Sequence, residues 1–315
     1  MKSYEIGSTG WEREVIQNTL MAAYHEQRRS RRWRIFFRLI FLTLILGLFI
    51  SVWPKNKTPV AVNQPHTALI DLKGGIMEGE PADADSLAEA LRNAFSAKES
   101  KAILIRVNSP GGSPVQGAYI HDEIIRLKAL YPQKKVYAVI TDVGASAAYY
   151  AIAGADEIYA NGSSLVGSIG VLLPLFGASD AIEKIGIEQR TITAGKNKSF
   201  LDPFSPPNEY HINFAKELVN GVHDQFIGAV KAGRKERLKD DPEIFSGLAW
   251  NGQQALELGL IDGIGSPGYV AREIIQLDNL VDYTVPQGVF EKMVGKFNSS
   301  LTNHLSTQTM LQGLR

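Results

Sequence analysis

A serine stands within a run of small residues in the middle of the chain, where its neighbours make it a candidate nucleophile. Residues 142–151 read Asp-Val-Gly-Ala-Ser-Ala-Ala-Tyr-Tyr-Ala and follow an apolar run at 136–140. This order indicates a strand, a tight turn at Gly144 and a helix whose first turn carries Ser146. The start of a helix offers free backbone N–H groups and the positive end of its dipole. The alternative is a serine that only caps the helix, the commonest role at such a position.

A serine hydroxyl needs a base within hydrogen-bond reach to act at neutral pH, and the usual base is histidine. The stretch between Ser146 and Glu209, which completes the predicted sheet, contains no histidine. The six histidines of the chain are His25, His66, His121, His211, His223 and His304. His121, His211 and His223 fall on predicted helices, where we expect solvated or packed side chains. A histidine-based triad is therefore unsupported.

A lysine can replace histidine as the base if burial lowers its pKa toward neutrality. Lys196 and Lys198 lie in a turn-rich loop, and the mostly apolar residues 200–204 that follow can shield an amine from water. The alternative is that both lysines are solvated loop charges, as most loop lysines are. From these residues alone, both lysines are candidates and the base that would activate Ser146 stays open.

The elements that must position these residues alternate between strand and helix. The pattern predicts strands at 68–72, 102–107, 136–141, 157–160, 168–173 and 188–193. It predicts helices at 85–95, 116–130, 178–185, 209–238, 252–258 and 269–277. Continuously apolar strands alternating with helices favour an α/β domain with a largely parallel, covered sheet. After the second strand, Asn-Ser-Pro-Gly-Gly at 108–112 requires a sharp turn.

The N-terminal region indicates a membrane anchor. Arginines between residues 28 and 34 precede an apolar run at 35–53 that only Arg38 interrupts. About 19 residues match the hydrocarbon thickness that a helix must cross. Because the arginines precede the run, the positive-inside rule places the N-terminus in the cytoplasm and the residues after Pro54 outside. The alternative is a cleaved signal peptide.

These observations divide the chain into five segments. We expect a basic cytoplasmic tail at 1–34, a transmembrane helix at 35–53, a linker at 54–66, the catalytic domain at 67–286 and a loosely structured tail at 287–315. The expected location is the inner, cytoplasmic membrane, crossed once, with the catalytic domain periplasmic or otherwise extracytoplasmic.

Composition excludes several other classes of function. The formal net charge is zero, so the overall charge gives no reason to expect a nucleic-acid partner. The chain has no cysteine, which excludes thiol nucleophiles, disulfides and cysteine-based zinc sites. We expect no metal and no cofactor.

Five motifs resemble those of the signal peptide peptidase A family, in the family's order. They stand at residues 108–112, 144–150, 167–171, 195–204 and 252–262, and the resemblance covers about 68–277. These membrane-anchored serine–lysine peptidases share their fold with Clp protease and the crotonases. The resemblance implies an α/β domain of repeated ββα units, preceded by one transmembrane helix.

The resemblance also implies roles for individual residues. Ser146 matches the nucleophile, Lys198 the general base, and Ser168 a serine that orients the lysine amine. An oxyanion hole would be lined by backbone N–H groups of Gly111, Gly112 and Ala147.

Two departures from the family pattern are visible. Ala147 and Ala148 follow the serine where the family usually has two glycines. Asn197 precedes the lysine where the family usually has an aromatic residue. The second departure weakens the burial of Lys198 and keeps Lys196 as an alternative base.

The function implied is a membrane-anchored serine endopeptidase that degrades short apolar peptides such as cleaved signal peptides. The family forms homo-oligomeric rings whose active sites combine neighbouring subunits. Two alternatives stay open: a proteolytically inactive scaffold on the same fold, and a crotonase-like enzyme acting on acyl-coenzyme A. The membrane anchor and the lysine motif argue against the second alternative.

Overall fold

The computed structural model describes residues 9–52 and 63–286. The chain divides into two units, one made of Met1–Lys57 with Gln287–Arg315 and the other of Thr58–Pro286, and each is described by itself. The predicted tail at 287–315 and most of the predicted linker at 54–66 lie outside the described residues.

In the first unit, the described residues form one helix, α1 (Thr9–Val52). Its large apolar side chains between Ile35 and Leu46 are exposed. Within residues 9–52 and 63–286, no helix carries a stretch that is both long and apolar enough to cross a membrane. The predicted membrane segment at 35–53 extends past Gly47, where the described side chains of this helix stop, so it stays a prediction.

The second unit is built on one mainly parallel sheet. Its strands are β1 (His66–Lys73), β2 (Ser100–Ser109), β3 (Val136–Ala145), β4 (Glu157–Ala160), β5 (Leu165–Gly167), β6 (Ala249–Asn251), β7 (Gly263–Ile264) and β8 (Leu280–Asp282). The strand order is β6-β5-β3-β2-β1-β8, while β4 pairs with β3 and β7. Only the β5–β6 pair is antiparallel among these described strands. The predicted α/β class with a largely parallel sheet is confirmed.

The unit also contains helices, and several of them pack against this sheet. They are α2 (Ala84–Ser96), α3 (Pro114–Leu130), α4 (Ala147–Ile152), α5 (Ser179–Lys184), α6 (Glu209–Arg234), α7 (Gly252–Glu257) and α8 (Pro267–Tyr269), which continues into a π-helical turn, Val270–Ile275. N-cap side chains fix the residues at which several of these helices begin. The Asp83 side chain accepts from the Ser86 N–H at α2, and the Ser113 hydroxyl accepts from the Gln116 N–H at α3.

Strand β2 shows why the strands are continuously apolar. Ile103, Ile105 and Val107 pack into the larger core cluster beneath α2, α3 and α4. Leu104, which points to the opposite face, packs in a second cluster with the π-helical turn. Both faces of the sheet are therefore covered, as expected for parallel strands.

Strand β3 forks, and the fork creates the edge on which the candidate site lies. Residues 137–140 pair with β4, whereas residues 143–145 pair with β5. In register, Ser109 lies beside Gly144, and Ala145 lies beside Gly167. The carboxyl ends of β2, β3 and β5 therefore meet, which is where parallel α/β sheets bind ligands.

Two predicted strands are wrong. Residues 168–173 contain no strand, because the strand that pairs with β3 is the short β5, just before them. Residues 188–193 are irregular and exposed; the Ile192 side chain is 98% accessible. Their β-forming composition meets no neighbouring strand in the described part of the chain, and without a partner such a segment does not form a strand.

The end of α6 is anchored by a buried ion pair. Arg234 is fully buried and binds both carboxylate oxygens of Asp262, at 2.7 and 2.9 Å, and the carbonyl oxygen of Gly259 at 2.9 Å. Burial by itself would raise the pKa of Asp262, but the hydrogen bonds and charge of Arg234 lower it below its usual value. The pair locks α6 to the segment before β7.

Candidate active site

Ser146 has a strained backbone at the junction of β3 and α4. Its φ and ψ angles are 54° and −130°, a conformation that side-chain-bearing residues rarely adopt. Its N–H donates to the Gly167 carbonyl at 2.8 Å, and its own carbonyl accepts from the Tyr150 N–H at 3.0 Å. Strained residues of this kind concentrate at functional sites, including the strand-to-helix turn that presents a nucleophilic serine.

The Ser146 side chain does not cap α4. The residue occupies the N-cap position, but its hydroxyl makes no capping hydrogen bond. The interpretation of Ser146 as only a helix cap is therefore wrong. The predicted strand and helix around it are confirmed, but the predicted turn at Gly144 is wrong, because Gly144 still lies in β3 and the chain turns at Ser146.

The Gly111–Gly112 turn packs directly against Ser146. A Cβ atom on Gly111 would lie 2.7 Å from the Cβ of Ser146 and 2.8 Å from the nitrogen of Ala147. These separations are too short for any side chain, and the φ of 98° at Gly111 is also one that glycine favours. Three of the predicted site residues therefore lie together.

The three predicted oxyanion donors are not equivalent. The Gly111 N–H already donates to the buried Ser109 hydroxyl at 3.1 Å. Gly112 forms a parallel bridge with Ile76, in which Gly111 and Ser113 make the hydrogen bonds, so the Gly112 N–H points away from Ile76. Among residues 9–52 and 63–286, neither Gly112 nor Ala147 has an acceptor for its N–H. These two groups are free to bind an oxyanion.

Ser168 lies next to Ser146 across the β3–β5 pair. The two serines directly follow Ala145 and Gly167, which are register partners. Ser168 also has a positive φ, 50°, and its N–H donates to the Leu248 carbonyl at 2.8 Å. Its hydroxyl makes no hydrogen bond within the described ranges, which leaves it available to another group.

Lys198 is exposed and is not joined to Ser146 within one chain. Its backbone N–H donates to Gly195, but its ammonium forms no hydrogen bond or ion pair with any described residue. Lys196, the alternative base, is also exposed and lies over the ring of Tyr210, 5.9 Å from the ring centroid. The structure thus brings together the predicted nucleophile, the oxyanion donors and Ser168, but not a lysine.

The lysine loop is attached to the start of α6. The Asn197 side-chain oxygen lies 3.4 Å from the Nε2 atom of His211. The ring of Phe200 contacts the rings of His211 and Phe214, with centroids 5.4 and 5.6 Å apart. An aromatic cluster therefore holds this loop, although residue 197 itself is not aromatic.

Several of the described histidines have structural contacts. His66 is buried and bonds to the Tyr283 hydroxyl at 2.9 Å, while His121 packs beside Tyr150. His223 bonds to the Ile169 carbonyl at 3.0 Å. No described histidine is bonded to Ser146, and no metal-binding cluster of acidic residues and histidines occurs in the described ranges.

Sequence reasoning missed Ser109, and it placed His223 among the packed or solvated histidines without its contact to Ile169. The position of Ser109, two residues before Gly111, is the spacing at which a serine hydroxyl commonly accepts from a backbone N–H in a turn. That spacing was a usable signal for Ser109. The contact of His223 spans 54 positions and carries no local signal.

A strained serine at the carboxyl edge of a mainly parallel, helix-covered sheet is the arrangement of a serine peptidase or related hydrolase. The family model for peptidase family S49 matches residues 128–281. The chain belongs to peptidase family S49. Its mixed α/β structure fits the Clp protease/crotonase-like fold.

Several curated proteins are similar to the chain. A Na(+)/H(+) antiporter NhaA of Brucella melitensis is 42% identical over 224 residues, 70% of this chain and 30% of that protein. A putative signal peptide peptidase SppA of Enterococcus faecium is 32% identical over 188 residues, 60% of this chain and 54% of that protein. A putative protease of Synechocystis is 33% identical over 218 residues, 68% of this chain and 74% of that protein. The match to this chain thus spans less than two thirds of the length of the antiporter and of the Enterococcus protein.

Proposed function

We propose that this chain is a serine endopeptidase in which Ser146 is the nucleophile and Lys198 the general base. The observation that carries the proposal is the strained Ser146 beside the free N–H groups of Gly112 and Ala147. Membership of a peptidase family supports the reaction type.

The chemistry follows the serine-peptidase sequence with lysine in the place of histidine. The neutral Lys198 amine takes the hydroxyl proton as the Ser146 oxygen attacks the peptide carbonyl carbon. The carbonyl oxygen becomes an oxyanion that accepts from Gly112 and Ala147. The C–N bond then breaks, and the leaving amine takes the proton from the lysine. Water hydrolyses the resulting ester by the same route, and the Ser168 hydroxyl orients the lysine amine.

We infer that the lysine reaches Ser146 from a neighbouring copy in a homo-oligomeric ring. Residues 171–207, the apolar arm, are mostly irregular and carry exposed large side chains. Leu172, Phe176 and Ile192 are 80%, 73% and 98% accessible. Several large apolar side chains exposed on one segment are typical of an interaction site. The exposed, unpartnered Lys198 lies on the same arm.

We also propose that the enzyme is anchored in the inner membrane by residues 35–53, with its catalytic domain outside the cytoplasm. The exposed apolar side chains between Ile35 and Leu46 support an apolar environment for this helix. Short apolar peptides, such as remnants of cleaved signal peptides, are the substrates we propose. The name of the Enterococcus relative agrees with this class. No transport function is proposed, because the chain covers only 30% of the antiporter.

A proteolytically inactive scaffold is the second candidate. The exposure of Lys198 and the absence of a lysine beside Ser146 in the described chain favour it. Labelling with a fluorophosphonate separates the two candidates. If the chain is a peptidase, the reagent forms a covalent adduct on Ser146 of the oligomeric wild type and forms no adduct with the Ser146→Ala variant. An unlabelled wild-type oligomer supports the scaffold.

Mixing two inactive variants tests the shared site. If the base comes from a neighbouring copy, co-assembled Ser146→Ala and Lys198→Ala subunits recover about a quarter of wild-type turnover, because random assembly pairs one intact serine with one intact lysine at that frequency. Each variant alone stays inactive. An inactive mixture with confirmed co-assembly contradicts the shared site.

A further inference from the structure

The turn that carries Ser168 is held from several sides. Ser168 has a φ of 50° and follows Gly167, whose φ is 99°. The Ser168 N–H donates to Leu248, and its carbonyl accepts from the Gly170 N–H at 3.0 Å. A residue with a side chain keeps such a conformation only where its surroundings determine it. The contacts of this turn therefore decide where the Ser168 hydroxyl points.

One of these contacts comes from a histidine on α6. The Nε2 atom of His223 lies 3.0 Å from the carbonyl oxygen of Ile169, the residue after Ser168. A carbonyl oxygen only accepts, so Nε2 must carry the hydrogen. The Ile169 side chain is fully buried, so this peptide group is fixed on both sides. His223 thus holds the Ser168 turn against α6.

The same turn of α6 also contacts the helix of the nucleophile. Phe226, three residues after His223, stacks on Tyr150, with ring centroids 4.7 Å apart and planes 7° from parallel. The Tyr150 N–H donates to the Ser146 carbonyl. One helical turn therefore contacts both serine-bearing segments and fixes their separation.

We propose that His223 is a positioning residue for the reaction and acts by holding Ser168 where its hydroxyl can orient the lysine amine. The proposal rests on the proposed peptidase function. His223 itself touches neither Ser146 nor the reacting atoms. It fixes the Ile169 peptide group and, through it, the strained turn.

Two substitutions separate the hydrogen bond from packing. His223→Phe keeps a ring of similar size but removes the donor, whereas His223→Gln returns an N–H near the position of Nε2. We expect His223→Phe to lower kcat about 10- to 100-fold with little change in KM, because small misplacements of catalytic groups have effects of this size. His223→Gln should recover most of the loss. His66→Phe is the matched control and should keep wild-type kcat, because His66 bonds to the Tyr283 hydroxyl and contacts neither the Ser168 turn nor Tyr150.

Hydrogen exchange of the full-length protein tests the inference without activity. The backbone N–H groups of Ser168 and Gly170 should exchange faster in His223→Phe and at the wild-type rate in His223→Gln. Equal loss of kcat in both variants, or unchanged exchange in His223→Phe, overturns the proposal. A wild-type protein that hydrolyses no peptide overturns the proposed function instead, and the exchange rates still decide the role of His223.

Discussion

The backbone N–H of Ser146 donates a 2.8 Å hydrogen bond to the carbonyl oxygen of Gly167. This bond joins the ends of β3 and β5 at the candidate nucleophile. It helps to hold Ser146 at a φ of 54°, where the backbone is strained. The stability of the domain and the reactivity of the serine are therefore connected at one residue.

Replacing Ser146 should reveal this strain. Ser146→Gly removes the Cβ that makes the conformation costly, and we expect it to raise the free energy of unfolding by about 1 kcal/mol after the entropy cost of glycine. Ser146→Ala keeps the Cβ and should stay near wild-type stability. Both variants should lose all turnover. Urea denaturation of the two proteins provides the measurement, and equal stabilities would argue against strain.

Gly112 should be required for catalysis. A Cβ there would lie 2.3 Å from the Ile76 carbonyl oxygen, so Gly112→Ala must displace the turn and its free N–H. Losing one oxyanion donor lowers kcat by about 100- to 1,000-fold, and we expect a loss in that range from peptide-hydrolysis kinetics. Gly162→Ala is the control, since a Cβ at Gly162 meets no atom within 4 Å. If Gly112→Ala kept the wild-type kcat, Gly112 would not be an oxyanion donor.

The two lysines of the loop should differ in effect. Lys198→Ala should abolish peptide turnover, because it removes the proposed base. Lys196→Ala should leave most of the turnover, because its ammonium lies over the Tyr210 ring and has another role. Steady-state hydrolysis by the two variants decides between them, and the reverse result assigns Lys196 as the base.

Glu123 should make stability depend on acid pH. Hydrogen bonds from Arg126 lower the pKa of Glu123 to about 2, against the opposing effect of burial and with the help of Arg92. Because the folded pKa lies below the unfolded value of about 4.3, the stabilisation is present above that value and is lost as pH falls toward 2. Thermal unfolding midpoints measured from pH 5 to pH 2 should fall more steeply in wild type than in Glu123→Gln. Parallel curves would contradict this assignment.

The buried pair of Arg234 and Asp262 should be essential for stability. Asp262→Asn leaves a fully buried guanidinium without its carboxylate, and breaking such a pair costs about 3–5 kcal/mol. Denaturant unfolding measures the loss. Asp240→Asn, at an exposed position, should have little effect and serves as the control. A small loss in Asp262→Asn would show that water reaches Arg234.

Local patterns predicted much of the fold. The apolar runs at 102–107 and 136–141 fall within β2 and β3, and the predicted helix at 116–130 falls within α3. The predictions that were wrong concern features that depend on residues distant in sequence. For example, β3 continues to Ala145 because its second half pairs with β5. The short strands β6, β7 and β8 have no apolar run of their own to mark them.

The candidate site was predicted less completely, for a similar reason. The motifs located Ser146 and the glycine turn, but could not distinguish Gly111 from Gly112. That distinction depends on the Ser109 hydroxyl and on the bridge to Ile76, which only the folded chain brings together. The exposed Lys198 has no described partner, so its place relative to Ser146 is still set by the motif alone.

The pairing of β1 with β8 has a consequence for biosynthesis. Thr67 and Leu280 are register partners. The first strand of the sheet therefore lacks one of its neighbouring strands until residues near the end of the domain have been synthesised. A ribosome must release nearly the whole domain before this edge is complete. Strands β2, β3 and β5, which carry the candidate site, emerge much earlier and pair with one another. During synthesis, the serine-bearing centre of the sheet can therefore assemble while both edges, later completed by β6 and β8, are still open to other chains.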